Sequence, residues 1–170
     1  MKIVVFQVGI MVTASSDTKI KLWRGGLSTH TISGHTGGVT SLAVISSSEF
    51  LSASEDASVR RWSSGGVSLG NYSGGFTPIS RISLLKHGGW VTSGQDPFLH
   101  VWMNNAVVQI IQIPARCVVS SAALTNGEVA VLTDDGGVWK ADCNLPIKDT
   151  MQVVNRKIDL KPGNAAEFQG

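Results

Sequence analysis

Three kinds of side chain that together perform acyl transfer lie close along one stretch. His35 offers a base, Ser52 or Ser54 a hydroxyl and Asp56 a carboxylate, the set that activates a serine nucleophile. Trp62 follows Asp56 by six residues. Gly66-Val67-Ser68-Leu69-Gly70 has the form G-x-S-x-G, but a nucleophile elbow needs a strand-to-helix turn and no helical periodicity follows. His30, His87 and His100 are scattered without metal-ligand spacing. Cys117 and Cys143 are too few for a disulfide scaffold or a zinc site and read as two reduced, partly buried thiols of an intracellular protein. Asn71-Tyr72-Ser73 is a glycosylation sequon only in a secreted chain. The expectation is that there is no catalytic, metal or cofactor site. The polar set around His35 then serves to lock turns to strands, because buried polar groups must be paired.

The elements that carry these residues recur. Asp17, Asp56, Asp96 and Asp135 are spaced by 39, 40 and 39 residues, and Trp23, Trp62 and Trp102 each follow their Asp by six. A period near 40 built from short β-runs points to radially stacked sheets and away from helical repeats. The repeats fall at about 10–33, 34–73, 74–113 and 114–143. Within them the apolar alternation predicts strands such as Met11–Ser16, Lys19–Trp23, Ile79–Leu84, Gly89–Gly94, Phe98–Trp102, Val107–Ile113, Val118–Leu124 and Glu128–Thr133. Asn126-Gly127 is a hairpin signal. Ten residues before Met11 are too few for a first strand and its turn, so repeat one reads as truncated. Gly75 stands where repeat three should have its His. Trp139 falls two positions short of the expected place after Asp135 and reads as repositioned and exposed. Thr150 to Val154 offers a last strand.

The chain has 170 residues and a formal charge of +2. Charged residues are 15%, below the ~25% of soluble chains, and no Lys/Arg run marks a nucleic-acid or membrane surface. Met1-Lys2 followed by Ile3 to Val12 has the make-up of a signal peptide, but Met11 to Asp17 aligns with Phe50 to Asp56 as a strand, and the strand reading is preferred.

Gly34-His35 together with the pairs Asp17/Trp23, Asp56/Trp62 and Asp96/Trp102 resembles the WD40 repeat family from about Met11 to Ala141. The resemblance implies an all-β fold: a partial, open WD40 β-propeller of about three and a half to four blades over 1–143, then a C-terminal tail or linker over 144–170. It implies a structural hydrogen-bond network of His35, Ser52 or Ser54, Asp56 and Trp62, with Asp17, Trp23, Asp96, Trp102 and Asp135 at matching places. It also implies a partner-binding rim: Gly38, Thr40 and Glu55 in repeat two, Pro78, Ser80 and Gln95 in repeat three, with Ser16 and Asp134 flanking.

The runs Val12 to Arg24, Leu51 to Asp56, Ile113-Pro114-Ala115 and Leu124 to Glu128 are similar to the propeller of the phospholipase A-2-activating protein family, the Doa-type ubiquitin cofactors. That resemblance implies a non-enzymatic, ubiquitin-binding module of ubiquitin-dependent degradation, in the cytoplasm with the nucleus as a second compartment, without nucleic acid, membrane or cofactor. The alternatives are a WD40 assembly scaffold in another complex, without ubiquitin binding, and a secreted propeller enzyme. An incomplete ring leaves terminal blades with uncovered faces and open edges. A truncated product, poorly stable alone or paired with another copy, is therefore expected.

Overall fold

The computed structural model describes residues 1–6, 9–73, 77–86, 88–143, 151–153 and 157–158. Among them there is no helix, as the alternation demands: residues of period two cannot present one face on a 3.6-residue repeat. The strands make four sheets. Blade 1 is β1 (Lys2–Val5), β2 (Ile10–Ala14), β3 (Ile20–Arg24) and β4 (Leu27–Ile32). Blade 2 is β5 (Val39–Ser46), β6 (Glu49–Ser54), β7 (Ser58–Ser63) and β8 (Ser68–Ser73). Blade 3 is β9 (Ile79–Leu84), β10 (Trp90–Gly94), β11 (Phe98–Met103) and β12 (Ala106–Gln112); blade 4 begins with β13 (Val118–Ala123), β14 (Glu128–Thr133) and β15 (Val138–Asp142). Each blade is an antiparallel meander.

Two features depart from the expectation. Blade 1 is not truncated. Lys2–Val5 pairs with Met11–Ala14 in register, because a four-residue strand and a tight turn closed by Phe6 N–H donating to the Ile10 carbonyl at 2.8 Å fit into ten residues. The chain after blade 4 also returns to the sheets. β16 (Met151–Val153) runs parallel beside β12, and β17 (Lys157–Ile158) runs antiparallel beside β15 as the outermost strand of blade 4. Gly75 and His87 lie outside the described residues.

The core is three cores, one at each interface between neighbouring blades. Between blades 1 and 2 lie Val12, Ile20, Leu22, Leu42, Phe50 and Trp62, with Phe6 edge-on to Phe50 at 6.0 Å. Between blades 2 and 3, Leu51, Ala53 and Val59 meet Ile79, Ile82 and a stacked Trp90–Trp102 pair at 6.1 Å. Between blades 3 and 4, Val91, Leu99, Val101 and Ile111 meet Val129, Val131, Trp139 and Ala141. In blade 3, which has a neighbour on each side, the inner strand β10 has both faces buried, the BBBBB pattern of Trp90–Gly94. The β11–β12 hairpin turns on Asn104 and Asn105, both at positive φ (50° and 67°), a conformation Asn tolerates better than other side chains.

Trp139 corrects the sequence reading. It is buried against blade 3 rather than exposed. Pairing of Val131 with Trp139 puts the ring on the face that holds Ser52 and Arg60 in blade 2, and that face lies against the preceding blade.

Candidate functional site

The polar network of blade 2 is a directed chain. Trp62 Nε1–H donates to Ser52 Oγ at 2.8 Å. Ser52 Oγ lies 2.7 Å from His35 Nε2, and His35 Nδ1 lies 2.9 Å from Asp56 Oδ2. With the Ser52 hydroxyl donating to Nε2 and Nδ1–H donating to the carboxylate, every group in the chain is satisfied. Asp56 also accepts from the Thr36 amide at 2.9 Å, the Ser58 amide at 3.0 Å and the Ser58 hydroxyl at 2.6 Å. Burial pushes the Asp56 carboxyl up, but the donors Ser58, Thr36 and His35 outweigh it and hold the group well below the usual carboxylate range. Burial is the largest influence on His35 and lowers it, against the opposing pull of Asp56. The network is thus a neutral imidazole on a carboxylate.

Ser52, not Ser54, is the network hydroxyl. Ser54 sits two residues on, on the same face of β6 but beside Gly37 rather than the His35 ring. It donates to the Gly37 carbonyl at 2.9 Å and accepts from the Asp56 amide at 3.1 Å. Ser52, His35 and Asp56 have the connectivity of a catalytic triad, but Ser52 has no exposed surface and its oxygen already receives the Trp62 N–H. No carbonyl carbon can reach it, so the arrangement is a brace between the 34–36 turn, the Asp56 turn and the two strands β6 and β7. Gly34 is required here because a Cβ would lie 2.9 Å from the Trp62 ring.

The other blades keep parts of the brace. Trp23 donates to Thr13 at 2.9 Å and Trp102 to Thr92 at 3.0 Å, so a threonine replaces Ser52 in both. Asp17 caps its own turn through the Lys19 amide at 3.0 Å. Asp96 accepts from the Thr77 hydroxyl at 2.6 Å and the Phe98 amide at 3.1 Å. His100 is half-buried nearby and is lowered chiefly by burial, with Asp96 opposing. In blade 4, Asp135 accepts from Thr133 Oγ1 and the Gly137 amide at 3.0 Å. Val131 takes the Ser52 place, and the buried Trp139 Nε1 has no partner among the described residues. Spacing alone could not reveal Thr13, Thr92, Thr77 or Ser58 as members. The cue was a hydroxyl four residues before each Asp, present in blades 1 to 3 and missing in blade 4.

The rim residues gather along the turns that link one blade to the next. Gly38 is buried where a Cβ would lie 3.0 Å from a Glu55 carboxylate oxygen and 3.3 Å from the Ser16 Cα, so Ser16, Gly38 and Glu55 meet. Glu55 N–H donates to the Gly38 carbonyl at 2.9 Å and Val39 N–H to the Ser15 carbonyl at 3.0 Å. Thr40 donates to the Ile79 carbonyl at 2.5 Å, which carries the rim to the half-buried Pro78 and Ser80. Gln95 N–H donates to the Pro78 carbonyl at 3.3 Å, and Val118 N–H to the Asp96 carbonyl at 3.1 Å. Asp134 Oδ1 accepts from the Cys117 amide at 3.3 Å. Ser16, Glu55, Gln95 and Asp134 are exposed, whereas Thr40 and Gly38 are spent on holding the blades together. The two carboxylates make this edge acidic.

Among the described residues no group of three or more His, Cys, Asp or Glu is placed to hold a metal. Cys143 is buried, which pushes its thiol up to about 12, and Cys117 is half-buried; both are free.

The WD40 profile (WD domain, G-beta repeat) matches residues 26–63, the stretch holding the complete brace. No curated protein matches the chain. Among solved structures it is similar to one titled "Crystal structure of WD40 beta propeller domain of Doa1", at 32% identity and a TM-score of 0.76, over 81% of this chain and 48% of that one. The chain spans about half the length of that structure. These blades are WD40-type propeller blades, the architecture of a protein-interaction module.

Proposed function

We propose that these WD40-type blades bind ubiquitin, as part of a cofactor in ubiquitin-dependent protein degradation, and that the acidic rim is the docking edge. The observation that carries this reading is the likeness to the Doa1 propeller, which coincides with the Doa-type runs of the sequence. The rim supports it in kind. Ser16, Glu55, Gln95 and Asp134 are exposed side chains on a backbone fixed by inter-blade hydrogen bonds, and a preorganised edge loses little entropy on binding. On this reading the protein is non-enzymatic and works in the cytoplasm, with the nucleus as a second compartment.

The chemistry asks for a partner surface with hydrogen-bond donors and positive charge opposite Glu55 and Asp134. The test is biolayer interferometry on immobilised ubiquitin at two salt concentrations. The expected result is a saturable interaction that Glu55→Lys weakens about 5-fold or more, in line with ~1 kcal/mol for a rim charge pair. Leu69→Glu on the exposed outer strand β8 should leave it unchanged. A correctly folded chain that ignores ubiquitin would leave a WD40 scaffold of another complex.

A further inference from the structure

Asn126-Gly127 is the one Asn-Gly pair in the sequence, and the turn it forms carries a chemical hazard beside its structural use. Gly127 stands at φ 86°, a conformation that glycine takes without strain. Leu124 N–H donates to the Glu128 carbonyl at 2.8 Å and Gly127 N–H to the Leu124 carbonyl at 3.3 Å, closing the hairpin between β13 and β14. The same lack of a side chain leaves the Gly127 nitrogen unshielded beside the carboxamide of Asn126, which is exposed. Every other Asn in the sequence is followed by a residue with a side chain. Such a pair can react with itself. The Gly127 nitrogen, after losing its proton to solvent, attacks Asn126 Cγ. An N–Cγ bond forms, the Cγ–Nδ2 bond breaks, and the carboxamide nitrogen takes a proton from water and leaves as ammonia. Water then opens the cyclic imide at either carbonyl and leaves aspartate or isoaspartate at 126. Nothing is oxidised or reduced, and water is the co-reactant.

The fold restrains this reaction through Glu128. Asn126 Nδ2 donates to Glu128 Oε2 at 2.8 Å, and Asn126 Oδ1 accepts from the Glu128 amide at 3.1 Å. Both ends of the carboxamide are thus tied to one residue, and Cγ cannot swing onto the Gly127 nitrogen without breaking a tie. That nitrogen must also become an anion, and a carboxylate held on the adjoining carboxamide disfavours negative charge there. Asp142 lies across the ladder from Glu128 and adds to the negative charge, while Lys140 Nζ, 4.0 Å from Glu128 Oε2, offsets part of it. The Glu128 N–H on Oδ1 acts the other way, since it draws electrons from Cγ. It is a neutral contact set against a charge-assisted one, and the charged contact is the stronger.

We propose that Asn126 is a site of spontaneous deamidation and that the Glu128 carboxylate is the restraint that keeps the reaction slow. Conversion removes the donor and puts a second carboxylate against Glu128 Oε2, where like charges disfavour each other. Isoaspartate also adds a methylene to the backbone inside a turn that sets the register of its hairpin. β14 carries Val129 and Val131 into the core shared with blade 3, so the altered turn loosens blade 4. The change is one-way, and it lies at the opposite end of β14 from Asp134 and the rim.

Peptide mapping by mass spectrometry, on the full chain aged in mildly alkaline buffer, tests this. The expected result is conversion of Asn126 to a mixture of aspartate and isoaspartate, slow in the native chain and several-fold faster in Glu128→Gln. That variant keeps an acceptor for Nδ2 and removes the charge. Lys140→Met leaves Glu128 uncompensated and should slow conversion further, whereas a merely loosened hairpin would speed it. Chain converted at 126 should unfold at a lower denaturant concentration than fresh chain. An Asn126 that stays intact in Glu128→Gln, equal rates in that variant and the native chain, a faster Lys140→Met, or converted chain of unchanged stability would each overturn the proposal.

Discussion

Ser52 is the hinge of the buried brace because two partners depend on it at once. Ser52→Ala leaves the Trp62 N–H and the His35 Nε2 without a partner, at about 1–3 kcal/mol for each buried unpaired group. Chemical denaturation should show a loss of about 2–4 kcal/mol, and a loss below ~0.5 kcal/mol would mean the brace is slack. Among the described residues, His35 and His100 set the pH response. Both His35 and His100 are lowered in the fold, chiefly by burial, so each contributes stability above its ordinary value of 6.5 that is lost as pH falls toward the folded value. Asp56 is also lowered and loses its contribution in the same direction, below its ordinary 3.8. The unfolding midpoint should fall from pH 7 to pH 5, and His35→Gln with His100→Gln should flatten that slope at some cost in stability at pH 7. A midpoint that rises on acidification would contradict the neutral imidazole. The sequence offered His35, Asp56 and Trp62 with either Ser52 or Ser54, and the structure joins the first three through Ser52. Residues two apart on a strand share a face, and only the position of the His35 ring between Ser52 and Asp56 separates them.

At the scale of the strand and turn, the regular Asp spacing made most elements legible before any coordinates. β9 and β14 begin and end where the alternation puts them, because an apolar alternation bounded by turn residues leaves little freedom in register. What stayed hidden was governed by long-range packing. Lys2–Val5 has no local turn signal, and it becomes a strand because β2 offers it a partner edge. Trp139 escaped because counting from Asp135 locates a place along the strand, while burial depends on which blade that face meets. The indole comparison follows from this. Trp62→Phe removes a donor that is used and should cost about 1–2 kcal/mol beyond the lost ring area, whereas Trp139→Phe removes a buried donor without a partner and should cost little beyond its area. Equal losses in thermal or chemical unfolding would refute the reading of the Trp139 N–H as unpaired against blade 3. The Asp turn stores backbone strain: Ala57 has φ 63°, where a non-glycine residue costs roughly 1 kcal/mol. Ala57→Gly should therefore be neutral to stabilising by several tenths of a kcal/mol, once the added freedom of the unfolded chain is set against the relief. A loss above 1 kcal/mol would show that the turn depends on the Ala57 methyl.

For the molecule as a whole, stability resides in the interfaces between sheets, and the proposed docking edge lies on the turns that join them. Shared hydrogen bonds such as Val39 to Ser15, Thr40 to Ile79 and Val118 to Asp96 fix the rim as one continuous edge. The position of that edge and its carboxylates Glu55 and Asp134 could be read from the repeat, but the use of Thr40 in a bond to the Ile79 carbonyl of the next blade could not. The most direct measurement is an NMR titration of the ¹⁵N-labelled chain with unlabelled ubiquitin. Saturable shifts at the amides of Ser16, Gly38, Glu55, Gln95 and Asp134, with the outer strands β4 and β8 silent, are the predicted result. No shifts at millimolar ubiquitin, or shifts confined to β4 and β8, would contradict it.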